Sequence, residues 1–578
     1  MPAIKLNAFG GMVPAQDDRL LSDQMAAYAE NTWLYSGALQ GMREQTLVYT
    51  CTNAFARRVF RIPKDQVSKD YIVDSYWLEF NKQDVDVVKA PMDNDAYGRF
   101  YWAGELDANG FFPRYNSRSR IAAGSSYYKL GVPAPTVAPG VTPPGSGSGT
   151  TTSRAYAYTW VTGFAEEGPP SPATVVTGYA GSWGVTMTSP GSSVTTLRNI
   201  TSTRIYRTVT SSLGAATYFF VAEVPVATLS YTDTITDTVV SSNNQLESTY
   251  WTPPPDGLEG MIAMPNGMIA GFVNNEIWFC EPFRPHAWPV IYTLSVDFNI
   301  VGLGVMGQTL IVCTESATYA CTGVNPNSMS LSVIGTNQPC LSRGGIVSTL
   351  GGVLYPSPDG VAAAGPTGVQ IVTKALISRD QWNSLLTVSR LNAALLSGSY
   401  YAFGTQKDGC FQLDAFQSTA FENRDFTGSY TGAFIDPTNE RIAYVALASD
   451  LPTLSVFNDV WTGEVFSVRD GKVYYFNVDG GAHGWYTWKS KVFQVPYRRN
   501  LKALKIYFDV PDGVTGDLGT IRLYADGTLV WSRALLTSGV MMRLPSGFKA
   551  EFWQVEVETR VAVWSVQMAT SAKELASV

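Results

Sequence analysis

The chain has 578 residues, of which 45% are hydrophobic and 15% charged, with 52 glycines and 32 prolines. This length allows about three or four domains with their own cores, and the low charge with many turn-forming residues is typical of an all-β structural protein. The net charge is −7 and basic residues never run beyond a pair, which argues against a protein that grips duplex DNA through clustered cations.

The first predicted element is a short amphipathic helix within an N-terminal arm, residues 1–44. Leu21, Met25 and Tyr28 fall at positions i, i+4 and i+7, so they would share one helix face, and Ser22 is a plausible N-cap. Such a face contacts either its own domain or a neighbouring protein. We favour assembly contacts with another subunit or an adaptor, because an arm that is not tied down normally frays.

Residues 45–132 are predicted to form further strands, with stretches such as "DSYWLEFNKQDVDVV" and "GRFYWAGEL". The following Pro/Gly/Ser-rich stretch, residues 131–153, is interpreted as a linker that packs no core. Residues 133–252 have the length, strand spacing and late Tyr-Thr-Asp of a fibronectin type III-like β-sandwich. We predict that this module is inserted between propeller or platform strands on either side.

Residues 253–490 consist of successive predicted hairpins. Asp-Gly and Asn-Gly dipeptides recur along the chain and favour tight turns; they begin at Asn109, Asp256, Asn266, Asp359, Asp408, Asp470, Asp479, Asp512 and Asp526. Residues 352–373 and 471–490 are each predicted to be two strands around such a turn, and residues 377–386 are the main helical exception. These strands suggest β-propeller blades or a chain of sandwiches. Four or five blades fit here, and residues 45–132 would supply the missing ones.

Residues 491–578 alternate apolar and polar residues and are predicted to form a C-terminal β-sandwich, with Trp531, Trp553 and Trp564 in its core. The fold expected for the whole chain is therefore all-β, a propeller with an inserted sandwich and a second sandwich at the end. The most apolar long window, residues 294–313, contains interrupting polar residues, so no stable membrane insertion is expected.

The sequence offers no metal or cofactor motif. Its six cysteines form no CxxC pair, which argues against structural zinc and favours free buried thiols in a reducing cytoplasm. Asp93, Asp95 and Gly98 begin like a calcium loop, but Tyr97 fills a ligand position, so a turn is preferred. We expect no cofactor and no metal site.

No catalytic arrangement emerges either, so the chain is not expected to be an enzyme. Asp84 and Asp86 could act as the carboxylate pair of a glycosidase, but carboxylates two apart on a strand usually form a solvated face. Asp-box repeats of sialidases are not matched. The aromatic residues of 97–115 would either stack on sugars or pack against a core or a neighbouring subunit, and we favour the second.

The N-terminal stretch resembles the tail nozzle proteins (tail tubular protein B) of short-tailed bacteriophages. That family begins with a Gly-Gly-x-x-Pro lead, an Ala-rich segment ending in Asn, and a Gly-x-Leu turn before an Arg. The matching residues are Gly10, Gly11, Pro14, Ala26, Asn31, Gly37, Leu39 and Arg43. The stretches "GGVLYPSPDGVAAAGPTGVQIVT" and "WYTWKSKVF" look similar too, so the resemblance covers residues 4–45 and 255–495.

The resemblance implies a structural protein of the virion tail, assembled in the host cytoplasm. It would form a hexameric ring below the tail adaptor protein, carry fibres or spikes outside, and conduct genomic DNA through its lumen without tight binding. The weak, mildly acidic charge agrees with a wall that does not grip phosphate. The alternative from another class is a carbohydrate-binding or carbohydrate-cleaving propeller that acts as a receptor-binding tail protein.

Overall fold

In a computed structural model, the described residues are 4–34, 38–64, 74–147, 149–209, 217–385, 388, 391–396, 398–403, 410–413, 444–447, 454–476, 481–510 and 516–576. They form mostly β strands in small sheets, which confirms the all-β class. The chain divides into a first unit, residues 1–83, 315–318 and 334–578, and a second unit, residues 84–314 and 319–333. Within the described residues, no helix has the length and apolar character needed to cross a membrane.

The strands are numbered in chain order. Those before residue 130 are β1 Ile4–Leu6, β2 Ala26–Glu30, β3 Thr32–Trp33, β4 Gln40–Gly41, β5 Thr46–Thr50, β6 Arg58–Pro63, β7 Ser75–Phe80, β8 Asp86–Lys89, β9 Arg99–Ala103, β10 Leu106–Asp107, β11 Gly110–Phe111, β12 Arg114–Ser117 and β13 Tyr128–Lys129. Those up to residue 335 are β14 Gly140–Thr142, β15 Thr152–Thr162, β16 Thr174–Gly178, β17 Trp183–Thr186, β18 Ile200–Val209, β19 Thr217–Pro225, β20 Ser230–Asp233, β21 Glu259–Ala263, β22 Ile269–Val273, β23 Glu276–Phe279, β24 Leu294–Ser295, β25 Ile300–Met306, β26 Thr309–Thr314, β27 Thr318–Thr322 and β28 Ser330–Gly335.

The remaining strands are β29 Val347–Ser348, β30 Val353–Ser357, β31 Gly360–Gly365, β32 Gly368–Ile371, β33 Asn392–Leu396, β34 Ser399–Phe403, β35 Cys410–Leu413, β36 Tyr444–Leu447, β37 Ser455–Asn458, β38 Val465–Arg469, β39 Lys472–Tyr475, β40 Tyr486–Ser490, β41 Phe493–Arg499, β42 Ala503–Asp509, β43 Gly519–Ala525, β44 Thr528–Ala534, β45 Met541–Arg543, β46 Ala550–Thr559 and β47 Ala562–Ala569. The α-helices are α1 Arg118–Ala122, α2 Ser192–Arg198, α3 Asp237–Val240, α4 Arg379–Leu385 and α5 Ala572–Ala576. Short 3-10 turns lie at Ser248–Tyr250, Pro265–Gly267, Val290–Tyr292, Pro326–Ser328 and Arg343–Gly345.

The end of the chain forms two sheets around one core, and the N-terminal residues belong to both. One sheet has the order β1-β47-β42-β45; the other runs β33-β34-β35-β36-β2-β40-β46-β43-β44, with β41 also on β46. Leu6, Phe9 and Leu39 lie in the shared core with Trp488 and Trp553. Residues 4–34 are thus integrated into sheets, where the sequence predicts an arm.

Alternation of apolar residues explains most of this core, because successive strand residues face opposite sides of a sheet. Strand β46 buries every second residue from Trp553 to Thr559. The prediction for Trp553 is confirmed, and Trp531 packs partly buried at the edge of the core. The prediction for Trp564 is wrong: it lies on the outer face of β47 and is 46% exposed.

The other described sheets of the first unit are two four-stranded antiparallel sheets and the two-stranded pairs β3–β4 and β6–β7. One has the order β29-β30-β31-β32, which confirms the hairpin predicted at residues 352–373, and α4 confirms the helix predicted at residues 377–386. The other is β37-β38-β39-β5, so its fourth strand comes from the front of the chain. The two-stranded unit predicted at residues 471–490 is wrong, because β39 and β40 belong to different sheets.

In the second unit, three four-stranded sheets have the orders β13-β12-β9-β8, β21-β22-β23-β24 and β25-β26-β27-β28. Residues 133–252 form two further sheets, β14-β17-β20 and β16-β15-β18-β19, which share one core. The prediction that residues 131–153 pack no core is wrong. Val132 is completely buried in that core and β14 supplies a strand, because apolar residues between the prolines reach the sheets.

Candidate functional site

The three predicted contact residues do not form a helix face. Residues 21–25 are turn and coil, and β2 begins at Ala26, so the helix prediction is wrong within the described residues 4–34. Leu21 and Met25 are buried inside the chain, at 3% and 8% exposure, whereas Tyr28 is 41% exposed. The helical spacing does not produce a helix here, because the following residues form β2, which pairs with β40 and β36 from distant parts of the chain. Of the three, Tyr28 is the one still accessible for the predicted assembly contact.

The stretch around Gly10 is fixed by close contacts. The Gly10 carbonyl accepts a hydrogen bond from Trp488 Nε1 at 2.9 Å, and a Cβ atom at Gly10 would lie 2.7 Å from Met25 Sδ. Asn31 takes a positive φ of 55°, a region that Asn tolerates better than most residues. Leu39 is fully buried. Gly10, Asn31 and Leu39 are therefore closely packed, conformationally special or buried, respectively.

A buried ion cluster joins the β13-β12-β9-β8 sheet to the two-sheet body of residues 133–252, both in the second unit. Arg99 donates to Glu166 at 2.7 Å and to Asp95 at 3.0 Å. Both side chains of the Arg99–Glu166 pair are almost completely buried. Phe164 packs edge-on against Tyr115 nearby. This body is therefore attached to its neighbouring sheet through desolvated charges and aromatic packing.

Burial shifts the ionisation of two groups in this region. It raises the pKa of Glu166, although Arg99, Tyr115 and Thr162 oppose the shift. Burial also lowers the pKa of His286 from its ordinary 6.5 to about 3, helped by the positive charges of Arg284 and Arg99. His286 is therefore neutral at physiological pH.

The acidic group of the calcium-like stretch and the cysteines have structural surroundings. Asp95 of the calcium-like stretch is held by Arg99. Across the described ranges, no three His, Cys, Asp or Glu residues are grouped so as to hold a metal ion. The described cysteines are free and buried, as predicted: Cys51, Cys280, Cys313, Cys321 and Cys340. Burial raises the pKa of Cys51 to about 11 and of Cys280 to about 12, so both are protonated, poor nucleophiles at neutral pH.

Each unit has an open cleft among its described residues. The first, in the first unit, has a volume of about 470 Å³ and is lined by Arg19, Val492, Arg498, Tyr524, Asp526, Gly527, Glu551, Phe552 and Gln554. Most of its charges are engaged: Asp526 pairs with Arg498 and accepts the amides of Glu551 and Phe552, and Arg19 pairs with Asp17.

The second, in the second unit, has a volume of about 560 Å³, and we call it the tyrosine cleft. It is lined by Asn109, Arg120, Ser126, Tyr127, Tyr128, Thr195, Thr196, Leu197, Asn199 and Ile200. Sequence reasoning missed it, since the aromatic residues weighed there end at Tyr115. The adjacent Tyr127-Tyr128 pair, close behind Arg120, was the available signal.

Comparison with known proteins gives no family. No family model matches the chain, and no curated protein does. Solved structures match with low scores. BBS1N in complex with ARL6DN has a TM-score of 0.24 and 9% identity, with 47% of this chain and 74% of that chain covered.

Two bacterial structures match at a similar level. Apo AztD from Citrobacter koseri has a TM-score of 0.24 and 11% sequence identity, and the match covers 60% of this chain and 72% of that chain. PorZ of Porphyromonas gingivalis has a TM-score of 0.25 and 9% sequence identity, and the match covers 62% of this chain and 43% of that chain. These scores are too low to assign a fold or a function.

Proposed function

We propose that the chain is a structural subunit of a short bacteriophage tail, the tail nozzle, rather than an enzyme. The observation that carries this proposal is the N-terminal pattern together with its placement. Gly10, Asn31 and Leu39 match the nozzle pattern; Gly10 lies in a closely packed stretch, Asn31 has a positive φ that favours Asn or Gly, and Leu39 is a buried apolar residue. In the proposed assembly six copies form a ring below the tail adaptor, with fibres or spikes outside and DNA passing through the lumen.

The four-stranded sheets support a propeller as the central part of this subunit. Blades of a propeller place their first strands side by side around an axis. In the second unit the first strands β8, β21 and β25 are neighbours in that order, and in the first unit β29, β33 and β37 are. Strand β33 begins a run of four strands, β33 to β36, which continues through β2 into the larger sheet. Strand β5 completes the sheet of β37, β38 and β39. We infer that these sheets are blades.

The two-sheet body of residues 133–252 is proposed to be the fibronectin type III-like insert. Its three-stranded and four-stranded sheets and shared core support that assignment. The two sheets of β1, β2 and residues 486–569 are proposed to be the terminal sandwich, with the N-terminal strands as part of it.

The pairing of arginines with carboxylates supports passage of DNA without tight binding. Several arginines are buried in ion pairs, among them Arg61 with Asp459 at 2.6 Å and Arg207 with Asp233 at 2.9 Å. A guanidinium in such an ion pair is not available to neutralise phosphates. Each additional phosphate contact would slow the passage of DNA through the lumen. This is consistent with the acidic net charge of −7.

Electron microscopy tests the proposal. The purified protein should form six-membered rings at high concentration, and an antibody against it should label the distal tip of phage tails. The protein should also fail to retain duplex DNA in a mobility-shift assay at physiological salt. A chain that stays monomeric and is absent from particles would contradict the nozzle assignment.

The alternative, a carbohydrate-binding receptor protein, keeps one observation in its favour. The tyrosine cleft combines aromatic rings with amide and hydroxyl groups, which is the mixture that saccharide sites use. Glycan binding by a monomer or trimer that never forms rings would favour this alternative over the nozzle.

A further inference from the structure

The tyrosine cleft lies between two separately folded walls of the second unit. One wall is α1 and the connection from it to β13; the other is α2 and the start of β18. Its volume of about 560 Å³ is in the range of small-ligand sites. The two walls are tied together behind the cleft, because Arg198 donates to the carbonyls of Leu130 and Gly131 at 2.9 and 2.6 Å. The cleft is therefore formed before any ligand arrives.

Arg120 is the positive charge of this cleft, and its position is fixed. Its Nε donates to Asn116 Oδ1 at 3.0 Å, its Nη2 donates to the Ser126 carbonyl at 2.8 Å, and its guanidinium lies 4.3 Å from the centre of the Tyr128 ring. Among the described residues no carboxylate pairs with it. This distinguishes Arg120 from Arg114, which is paired with Asp107 at 3.0 Å.

The rest of the lining is neutral. Asn109 Nδ2 donates to the Tyr127 hydroxyl at 2.8 Å, and that hydroxyl donates to Asp107. Asp107 also pairs with Arg114, which pairs with Glu105 as well, and Asp107 itself is not among the residues that line the cleft. Thr196 is exposed on α2 at the opposite wall, beside Asn199. The cleft therefore offers amides, hydroxyls and tyrosine rings around one fixed cation.

This mixture selects a class of ligand. Sugar hydroxyls bond to amides and hydroxyls, the apolar faces of pyranose rings pack on aromatic rings, and a guanidinium binds a carboxylate with two hydrogen bonds. A polyphosphate or nucleic acid would need several cations, and this cleft supplies one. An uncharged sugar would leave the Arg120 charge without a counter-ion.

We propose that the tyrosine cleft binds a carboxylate-bearing sugar unit of an oligosaccharide, with Arg120 contacting the carboxylate. The chain would then recognise acidic glycans, such as those containing uronic acids. This inference goes beyond the nozzle assignment and does not depend on it, because ring formation and glycan binding are measured separately.

The test is titration calorimetry of the full chain with an oligogalacturonate, compared with a neutral galacto-oligosaccharide and with inorganic phosphate. The acidic oligosaccharide should bind, more weakly as salt rises, and the neutral one should bind about tenfold more weakly or not at all. Arg120→Met should reduce acidic-glycan affinity by about tenfold or more, and Arg120→Lys should restore part of it. The matched control is Arg284→Met, which removes a guanidinium stacked 4.2 Å from the Trp251 ring outside the cleft.

A second variant keeps the test valid if Arg120→Met fails to fold. Thr196→Phe should fill the cleft from the exposed side and block binding while leaving the cation and the melting temperature unchanged. The proposal is overturned if neither oligosaccharide binds, if both bind equally, if phosphate binds in place of the sugar, or if Arg120→Met and Thr196→Phe bind like the parent. Ring assembly of these variants, followed by electron microscopy, separates this result from that of the nozzle proposal.

Discussion

His286 makes the stability of the chain sensitive to mildly acidic pH. It is buried, its ring lies 5.8 Å from the Trp251 ring, and Nε2 has no hydrogen-bond partner within the described structure. Arg284 and Arg99 add positive charge around it. Burial and these charges lower the pKa of His286 to about 3, so the folded chain holds the neutral ring while the unfolded chain binds a proton below pH 6.5.

The sign and size of the effect follow from proton linkage. Because the pKa of His286 is lower in the folded state, its contribution is fully present above pH 6.5 and is lost as the pH falls toward 3. Each pH unit in that window costs about 1.4 kcal/mol of unfolding free energy. Between pH 7.5 and pH 5 the parent should therefore lose about 2 kcal/mol through this group.

The assay is urea unfolding of the parent and of His286→Gln at pH 7.5 and pH 5, followed by tryptophan fluorescence. The variant lacks the titrating ring. The difference in unfolding free energy, variant minus parent, should therefore be about 2 kcal/mol larger at pH 5 than at pH 7.5. His483→Gln, at the other histidine of the chain, controls for the loss of a histidine as such. An equal pH dependence in the parent and in His286→Gln would refute the reasoning.

The remaining predictions concern the ion cluster and the N-terminal residues. Glu166→Gln should destabilise the chain by about 1–3 kcal/mol in thermal melts, because Arg99 loses a buried partner, whereas Glu223→Gln, at a more exposed ion pair with Arg204, should cost less than about 1 kcal/mol. Phe9→Ala should cost about 3–5 kcal/mol, since Phe9 is buried against Trp488, and an unchanged melt would contradict its place in the core. Tyr28→Ser should leave the melt unchanged and impair ring assembly seen by electron microscopy; normal rings would remove Tyr28 from the proposed contact.

Sequence reasoning succeeded where the determining interaction is local. The Asp-Gly turn at Asp470 is an example, because both central residues adopt positive φ, 45° and 64°, as a tight hairpin requires. The helix α4 was found from its own pattern for the same reason. Trp553 was placed correctly because alternation along β46 fixes one buried face.

It failed where the partner lies far away in the chain. Leu21 and Met25 have helical spacing, yet this segment is turn and coil and leads into β2, whose strand partners β36 and β40 lie more than 400 residues later. Strands β39 and β40 follow one another in the chain but belong to different sheets. The alternation of apolar and polar residues predicts a strand but does not identify the strand that pairs with it. The tyrosine cleft was missed because Arg120 and Thr196 come from separate walls.

The strands at the front of the chain can pair only late in translation. Strands β1, β2 and β5 pair with β47, β40 and β39, which are translated about 420 to 560 residues later. At about 5–20 residues per second, these strands wait about 20–110 s for their partners. During that time Leu6 and Phe9 have no core to enter, and the strand edges are open to other nascent chains. A ribosome that stops before residue 444 therefore releases a chain in which β1, β2 and β5 lack their sheet partners, which marks it for chaperones and proteases before it can join an assembly.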